Sequence, residues 1–417
     1  MRHQGRRLAG ACGAWLTAVV LGVLAAGCGP HAKPGGNAAA TVVAEPIPAQ
    51  SFKREWAADL KLGNDAVDRM FVSEDLLFVY TKSNTAYVMN RASGRVRFFD
   101  KVTTSKLPPH PPVVLKERIV FPTSSTLEVY RRDGLGKERS FSTKSSLRTN
   151  AVGWPGGSRV YYGVDTPGAG RMTATETLPG DYKPVREVWE LMSTKGAAIN
   201  SAPTVWAGVV YVAFDDGEVY AVNGENRATI WATSTGTTFK TFGPVNADLR
   251  SDEYGVYVPS TDTKFYCLER GSGRKKWEYF AGHPLTANPE TTLTTVYLPV
   301  SQLGMVAIDK TQGGAVREPK WVVRDMTRFL AEDEKHAYFQ RNDNTIVAVD
   351  KASGEQRFTN RRRDLVAFAS NPRDKDGTIY AATREGLVVA IRPVLKPGDV
   401  GETAWVPVTP DAVAKAE

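Results

Sequence analysis

The sequence predicts an all-β fold: a single eight-bladed β-propeller of four-stranded antiparallel blades, closed by an N-terminal outer strand. Three observations predict it. Aromatic residues recur at a period near 42: Phe78, Phe121, Tyr161, Tyr211, Tyr257, Tyr297, Tyr338 and Tyr380 lie 43, 40, 50, 46, 40, 41 and 42 residues apart. Each period holds short apolar or alternating runs divided by turn residues. One tryptophan-bearing run stands ahead of the first period, and the last period lacks the tryptophan expected at its end. A repeat of this length with four short strands reads as a propeller blade. One blade cannot cover both of its own faces, so neighbours must stack on it, and a ring supplies them on every side.

Within a unit the elements follow one order. A proline often opens it eight or nine residues before the first aromatic, at Pro112, Pro203, Pro289 and Pro372, a position where a strand tolerates the missing N–H. An apolar strand follows, such as Val209-Val210-Tyr211-Val212-Ala213, and then a short polar turn, clearest at Asp215-Asp216-Gly217. That turn suits a hairpin requiring positive φ. A third strand ends at Asn90, Asp133, Asn223, Glu269, Asp309 or Asp350, and the next turn usually carries glycine, at Gly94, Gly273, Gly313 and Gly354.

The outer strand presents a second aromatic. It comes twenty residues after the first at Phe98, Phe141, Trp231, Trp277 and Phe358, and later at Trp189 and Trp321, which implies insertions of about eight and four residues. Trp56, Trp189, Trp231, Trp277 and Trp321 are therefore expected to plug the gaps between blades. Burying one indole removes ~150–250 Å² from water, an upper-bound gain of roughly 4–6 kcal/mol.

Closure is legible at the ends. The eighth unit, Ser370 to Val394, supplies three strands and no tryptophan, whereas Ser51–Leu60 forms an orphan outer strand around Trp56. That strand is expected to complete the eighth blade. The competitor is Thr403–Val408 around Trp405, which needs a five-residue insertion.

The amino terminus has a different composition. Met1–Arg7 is basic, Leu8–Ala26 is apolar, and small residues precede Cys28, the layout of a secretory signal. Leu24-Ala25-Ala26-Gly27-Cys28 resembles a lipobox, although the usual leucine three residues before the cysteine is Ala25 here. The resemblance implies cleavage before Cys28 and its lipidation, and acyl chains in pairs anchor a protein stably. Gly29, rather than aspartate, points to the outer membrane of a Gram-negative envelope. The expected division is signal 1–27, lipidated tether 28–50 rich in Pro, Gly and Ala, propeller 51–395 and tail 396–417.

Charge and chemistry narrow the function classes. Loss of Arg2, Arg6 and Arg7 with the signal lowers the net charge from +8 to about +5, and the remaining basic residues are interleaved with acidic ones, giving no nucleic-acid stripe. The runs Arg274-Lys275-Lys276 and Arg361-Arg362-Arg363 read as solvated faces. Three cysteines, Cys12, Cys28 and Cys267, build no disulfide framework, and Cys267 takes a place held by alanine in other units. The histidines His3, His31, His110, His283 and His336 are too scattered for a metal pair on one element. No catalytic, cofactor-binding or metal-ligating residue is assigned, and no cofactor is expected.

The units resemble the PQQ-type propeller repeat, best in Ser201-Ala-Pro-Thr-Val through Gly208-Val-Val-Tyr211-Val, Asp216-Gly-Glu-Val-Tyr-Ala-Val222 and Trp231. Two families share it. Quinoprotein alcohol dehydrogenases hold pyrroloquinoline quinone beside Ca²⁺, with a disulfide of adjacent cysteines stacked on the ring; this sequence has no Cys-Cys pair. The layout of lipobox, tether, orphan Trp strand and eight units resembles BamB-type lipoproteins of the outer-membrane β-barrel assembly machinery. That resemblance implies a monomeric, non-catalytic scaffold within an envelope complex, facing the periplasm, with protein partners in barrel insertion and no nucleic acid. Binding of an envelope ligand in the propeller's mouth is the alternative.

Overall fold

The computed structural model describes residues 52–134, 136–166, 169–177, 185–233 and 243–393. Cys28, the expected signal and tether, and the tail with Trp405 lie outside these residues. The described chain is entirely strands and turns, arranged as eight four-stranded antiparallel sheets in sequence order.

Blade 1 is Val67–Ser73, Leu76–Thr81, Thr85–Asn90 and Val96–Lys101; blade 2 is Val113–Val114, Arg118–Pro122, Thr126–Arg131 and Lys137–Ser142. Blade 3 is Val152–Gly153, Arg159–Thr166, Ala169–Glu176 and Arg186–Leu191; blade 4 is Thr204–Trp206, Val209–Ala213, Val219–Asn223 and Thr229–Thr233. Blade 5 is Arg250–Ser251, Val256–Pro259, Lys264–Leu268 and Lys275–Phe280; blade 6 is Glu290–Thr291, Thr295–Val300, Gly304–Asp309 and Trp321–Val323. Blade 7 is Arg328–Glu332, His336–Gln340, Thr345–Asp350 and Gln356–Arg361. Blade 8 takes Leu365–Ala369, Ile379–Thr383 and Leu387–Pro393 from its own unit and Phe52–Asp59 as its outer strand.

The closing strand pairs antiparallel with Leu387–Pro393, from Phe52 opposite Pro393 to Asp59 opposite Leu387, with a bulge between Arg54 and Trp56. The predicted N-terminal closure is therefore the observed one. Two boundaries differ from expectation. The third strand of blade 2 ends at Arg131, two residues before Asp133. The inner strand of blade 8 is Leu365–Ala369, so Pro372 falls in the loop after that strand rather than opening it.

Register explains the aromatic period. Tyr211 faces Ala221, which faces Trp231; the same ladder runs Tyr257–Cys267–Trp277, Tyr297–Ala307–Trp321 and Tyr380–Ala390–Trp56. A small residue between two rings lets them meet on one face of the sheet. Blade 2 departs from this. Its hairpin is one residue shorter, so Val120 opposite Val129 and Arg139 hold the ladder positions. Phe121, taken as the repeat aromatic, turns to the other face and packs back on Phe78 of blade 1. A one-residue slip flips a side chain across a sheet.

Among the described residues the apolar core forms eight clusters, each spanning one pair of adjacent blades and together running round the ring. The cluster between blades 8 and 1 contains Val67 and Met70 beside Ala367 and Tyr380, so the two ends of the repeat meet like any other neighbours. Loops joining first to second and third to outer strands share one face, here the first face. Phe52 and Pro393 both lie at that face because they pair at the start of one strand and the end of the other.

Candidate functional site

The first face is built from two repeated joints. The first places an outer-strand indole on the turn of the next blade. Trp56 Nε1 donates to the Arg91 carbonyl at 3.0 Å, Trp231 Nε1 to Arg270 at 2.6 Å, and Trp321 Nε1 to Lys351 at 3.0 Å. Beneath these rings lie Gly94, Gly273 and Gly354, with φ of +70, +71 and +76, where an added Cβ would sit 2.5 Å from the indole. Asn90 and Asp350 shape the first and last of these turns by accepting from backbone N–H groups two and three residues on.

Two predicted positions are joined differently. Trp189 Nε1 donates to the Gly224 carbonyl at 3.1 Å, but the residue matching the glycines is Arg227, at φ +64. Trp277 is 2% exposed. Its ring is covered by Arg317, whose guanidinium carbon is 5.3 Å from the centroid, while Glu278 exchanges backbone hydrogen bonds with Ala315 and Arg317 of the long turn in blade 6. Gly313 lies in that turn and approaches no ring.

The second joint is ionic. An acidic residue in the first loop of one blade meets a basic residue in the third turn of the next: Asp75 with Arg132 at 2.7 Å, Asp252 with Lys310 at 2.6 Å, and Asp374 with Arg91 at 2.8 Å. The middle pair is buried. Lys310 also donates to the Thr292 carbonyl, and Asp252 accepts from Tyr257 Oη at 3.0 Å. A charge pair out of water holds only when its remaining hydrogen-bonding capacity is filled in this way.

Over the axis the first face carries a cluster absent from the sequence expectations. Trp206 of blade 4 and Trp154 of blade 3 meet edge to face at 6.3 Å. Two guanidiniums converge on Trp206: Arg270 of blade 5 at 5.7 Å and Arg373 of blade 8 at 5.2 Å from its centroid. Arg373 also donates to Glu253 Oε2 of blade 5 at 2.6 Å. In a ring of eight, blade 8 stands opposite blade 4, so Arg373 reaches across the channel mouth. Its loop, residues 370–378, is the longest first loop of any blade. A signal for this cluster existed: Trp154 and Trp206 are the tryptophans of the repeat region that fit no position of the aromatic register.

A cleft of about 470 Å³ opens beside this loop at the joint of blades 8 and 1, lined by Glu55, Trp56, Arg91, Asp374, Asp376 and Arg392 among others. Burial pushes the Cys267 thiol up to about 12, which keeps it protonated and a poor nucleophile. Glu253 is held below the usual carboxylate range: partial burial opposes this, and the hydrogen bond from Arg373, a backbone hydrogen bond and the charges of Arg373 and Lys310 together outweigh it. His110 Nδ1 lies 3.2 Å from Asn150 Oδ1. No group of three or more His, Cys, Asp or Glu side chains suited to a metal occurs among the described residues.

Comparison with known proteins agrees with this architecture. Residues 181–321 match the family described as outer membrane protein assembly factor BamB. No curated protein sequence matches the chain. Among solved structures, BamB from Moraxella catarrhalis superposes with a TM-score of 0.61 at 14% identity, covering 83% of this chain and 98% of that one. Quinohemoprotein alcohol dehydrogenase from Comamonas testosteroni gives 0.59 at 12% identity, covering 87% and 78%. Saccharomyces cerevisiae Sqt1 gives 0.58 at 10% identity, covering 81% and 98%. The chain is an eight-bladed propeller that resembles BamB.

Proposed function

We propose that this propeller is a lipid-anchored, periplasm-facing protein-interaction scaffold in outer-membrane β-barrel assembly, and not an enzyme. The observation that carries the reading is the match of residues 181–321 to the BamB family, and a ring aligning with nearly the whole of a BamB chain supports it. In this reading residues 1–27 are a signal, Cys28 carries the lipid, residues 28–50 are a tether, residues 51–395 the propeller and residues 396–417 a tail. The described ring begins at Phe52 on the first face.

Affinity capture of the full chain from detergent-solubilised envelope should recover the barrel-inserting subunit. Recovery of other envelope proteins without it contradicts the assignment. Mass spectrometry of the amino-terminal peptide should find acylated Cys28, and Cys28→Ser should release the protein from membranes.

A second reading, a quinone-dependent dehydrogenase, is favoured by the likeness to the Comamonas enzyme alone. The family's quinone rests on a disulfide of adjacent cysteines, and this chain has no such pair. Dye reduction by the protein mixed with pyrroloquinoline quinone and Ca²⁺ would favour the second reading over the first.

A further inference from the structure

We propose that the channel mouth on the first face is a binding site for the carboxylates of an acidic polypeptide segment, with Arg270 and Arg373 as its cationic pair and Trp154 and Trp206 as its floor. The proposal deepens the scaffold reading and rests on it only in taking the ligand to be a polypeptide.

The site has a built geometry. Arg373 is not a loose surface arginine. Its loop is pinned on the far side of the ring, where Asp374 accepts from Arg91 at 2.8 and 3.3 Å and from Asn371 at 2.9 Å. Asp376 is held by Arg392 at 2.7 Å, and the Gly377 N–H donates to the Glu332 carbonyl at 3.0 Å. The residue between these anchors and the axis is Arg373. Arg270 is fixed through its backbone, whose carbonyl accepts from Trp231. The two guanidiniums thus approach one indole from two blades that are not neighbours in the ring, Arg270 from blade 5 and Arg373 from blade 8.

The charge there is unbalanced. Two guanidiniums face one carboxylate, Glu253, which bonds Arg373. Among the described residues no acidic side chain forms an ion pair with Arg270. Glu253 also identifies the chemistry: the cluster already holds a carboxylate, through one charge-assisted hydrogen bond from Arg373. That pair is substantially exposed, with side-chain exposures of 42% for Arg373 and 39% for Glu253. Exposed pairs contribute little to stability, so an incoming carboxylate can take the place of Glu253. The half-buried indoles supply apolar area for the stems of the same segment, and tryptophan and arginine are the residues on which protein interfaces concentrate their energy.

Purified full-length protein is titrated at low salt with a hexaglutamate peptide, with hexaglutamine and inorganic phosphate as parallel probes. Tryptophan fluorescence and calorimetry report binding. Hexaglutamate is expected to bind and hexaglutamine not. Arg270→Gln and Arg373→Gln each weaken hexaglutamate binding at least tenfold, whereas Glu253→Gln tightens it two- to fivefold by removing the internal competitor. Arg384→Gln, on the opposite face, removes the same charge and changes binding less than twofold. Thermal melts of each variant report its fold, and the gain from Glu253→Gln is one that misfolding does not produce.

Absence of hexaglutamate binding overturns the proposal, as does an equal loss from Arg384→Gln, which would mean bulk electrostatics. Phosphate binding as tight as the peptide, with the same dependence on Arg270 and Arg373, overturns the polypeptide carboxylate as ligand. Failure to capture the barrel-inserting subunit while hexaglutamate still binds rejects the scaffold's assigned partner and leaves this site standing.

Discussion

At Gly273 two constraints coincide. Its φ of +71 lies where side chains are disfavoured, and a Cβ there would fall 2.5 Å from the Trp231 ring. Gly271, two residues earlier, has open space around its Cβ position and an unexceptional φ. Gly273→Ala should therefore lower unfolding stability by about 2–3 kcal/mol, combining backbone strain with overpacking, while Gly271→Ala should stay within about 0.5 kcal/mol. Urea denaturation of the two variants checks the contrast, and equal losses would contradict it. The glycine in this turn was legible from the repeat; its reason, an indole from another blade, was not, because the contact spans 42 residues. Asp333 sets a second residue-scale expectation. Burial pushes its carboxyl up, but hydrogen bonds from His336, Tyr338 and two backbone N–H groups prevail and hold it at about 2. An unfolded aspartate titrates near 3.9. The folded value is the lower one, so Asp333 stabilises the fold fully above about pH 4, and this contribution is lost as pH falls towards about 2. Asp333→Asn should flatten that part of the acid limb of stability against pH. An unchanged slope between about pH 4 and pH 2 would sink the assignment.

Strands were read more faithfully than their registers. The four-strand unit, the Asn or Asp closing the third strand and the outer-strand tryptophans were all visible as spacings, because turn chemistry and the period of two are local. Blade 2 was misaligned because Phe121 and Phe141 continued the aromatic count while the hairpin between them had lost a residue. Residue counts cannot tell a shortened turn from a displaced ring. Gly313 was misread for a related reason: the turn before Trp321 is an eleven-residue excursion, residues 310–320, that covers Trp277 with Arg317 instead of a glycine. Trp277 thereby becomes the most buried of the five expected inter-blade tryptophans. Trp277→Ala should cost roughly 3–5 kcal/mol, read from urea midpoints and slopes. A loss below about 1 kcal/mol would place the ring at a surface where truncation matters little.

Among the described residues each blade buries its two faces against two neighbours, and none has a core of its own. Eight inter-blade clusters among the described residues imply that the ring is stabilised as a unit, and in blade 8 alone the chain does not continue from the third strand to the outer one. Phe52 does the work there that a turn does elsewhere, packing at 5.6 Å on Tyr338 and 5.8 Å on Phe358 of blade 7. The closure was legible because one unit lacked a strand and one strand lacked a unit. Of the channel-mouth cluster only the two off-register tryptophans were legible, since Trp154, Trp206, Glu253, Arg270 and Arg373 come from four blades with no shared spacing.

Hydrogen exchange of the native protein, followed by mass spectrometry on a peptide spanning Phe52–Asp59, tests ring closure most directly. If this strand completes blade 8, its amides exchange as slowly as those of Leu387–Pro393 and lose protection together with them as denaturant rises. Exchange of the whole segment within seconds, while Leu387–Pro393 stays protected, would contradict the closed ring.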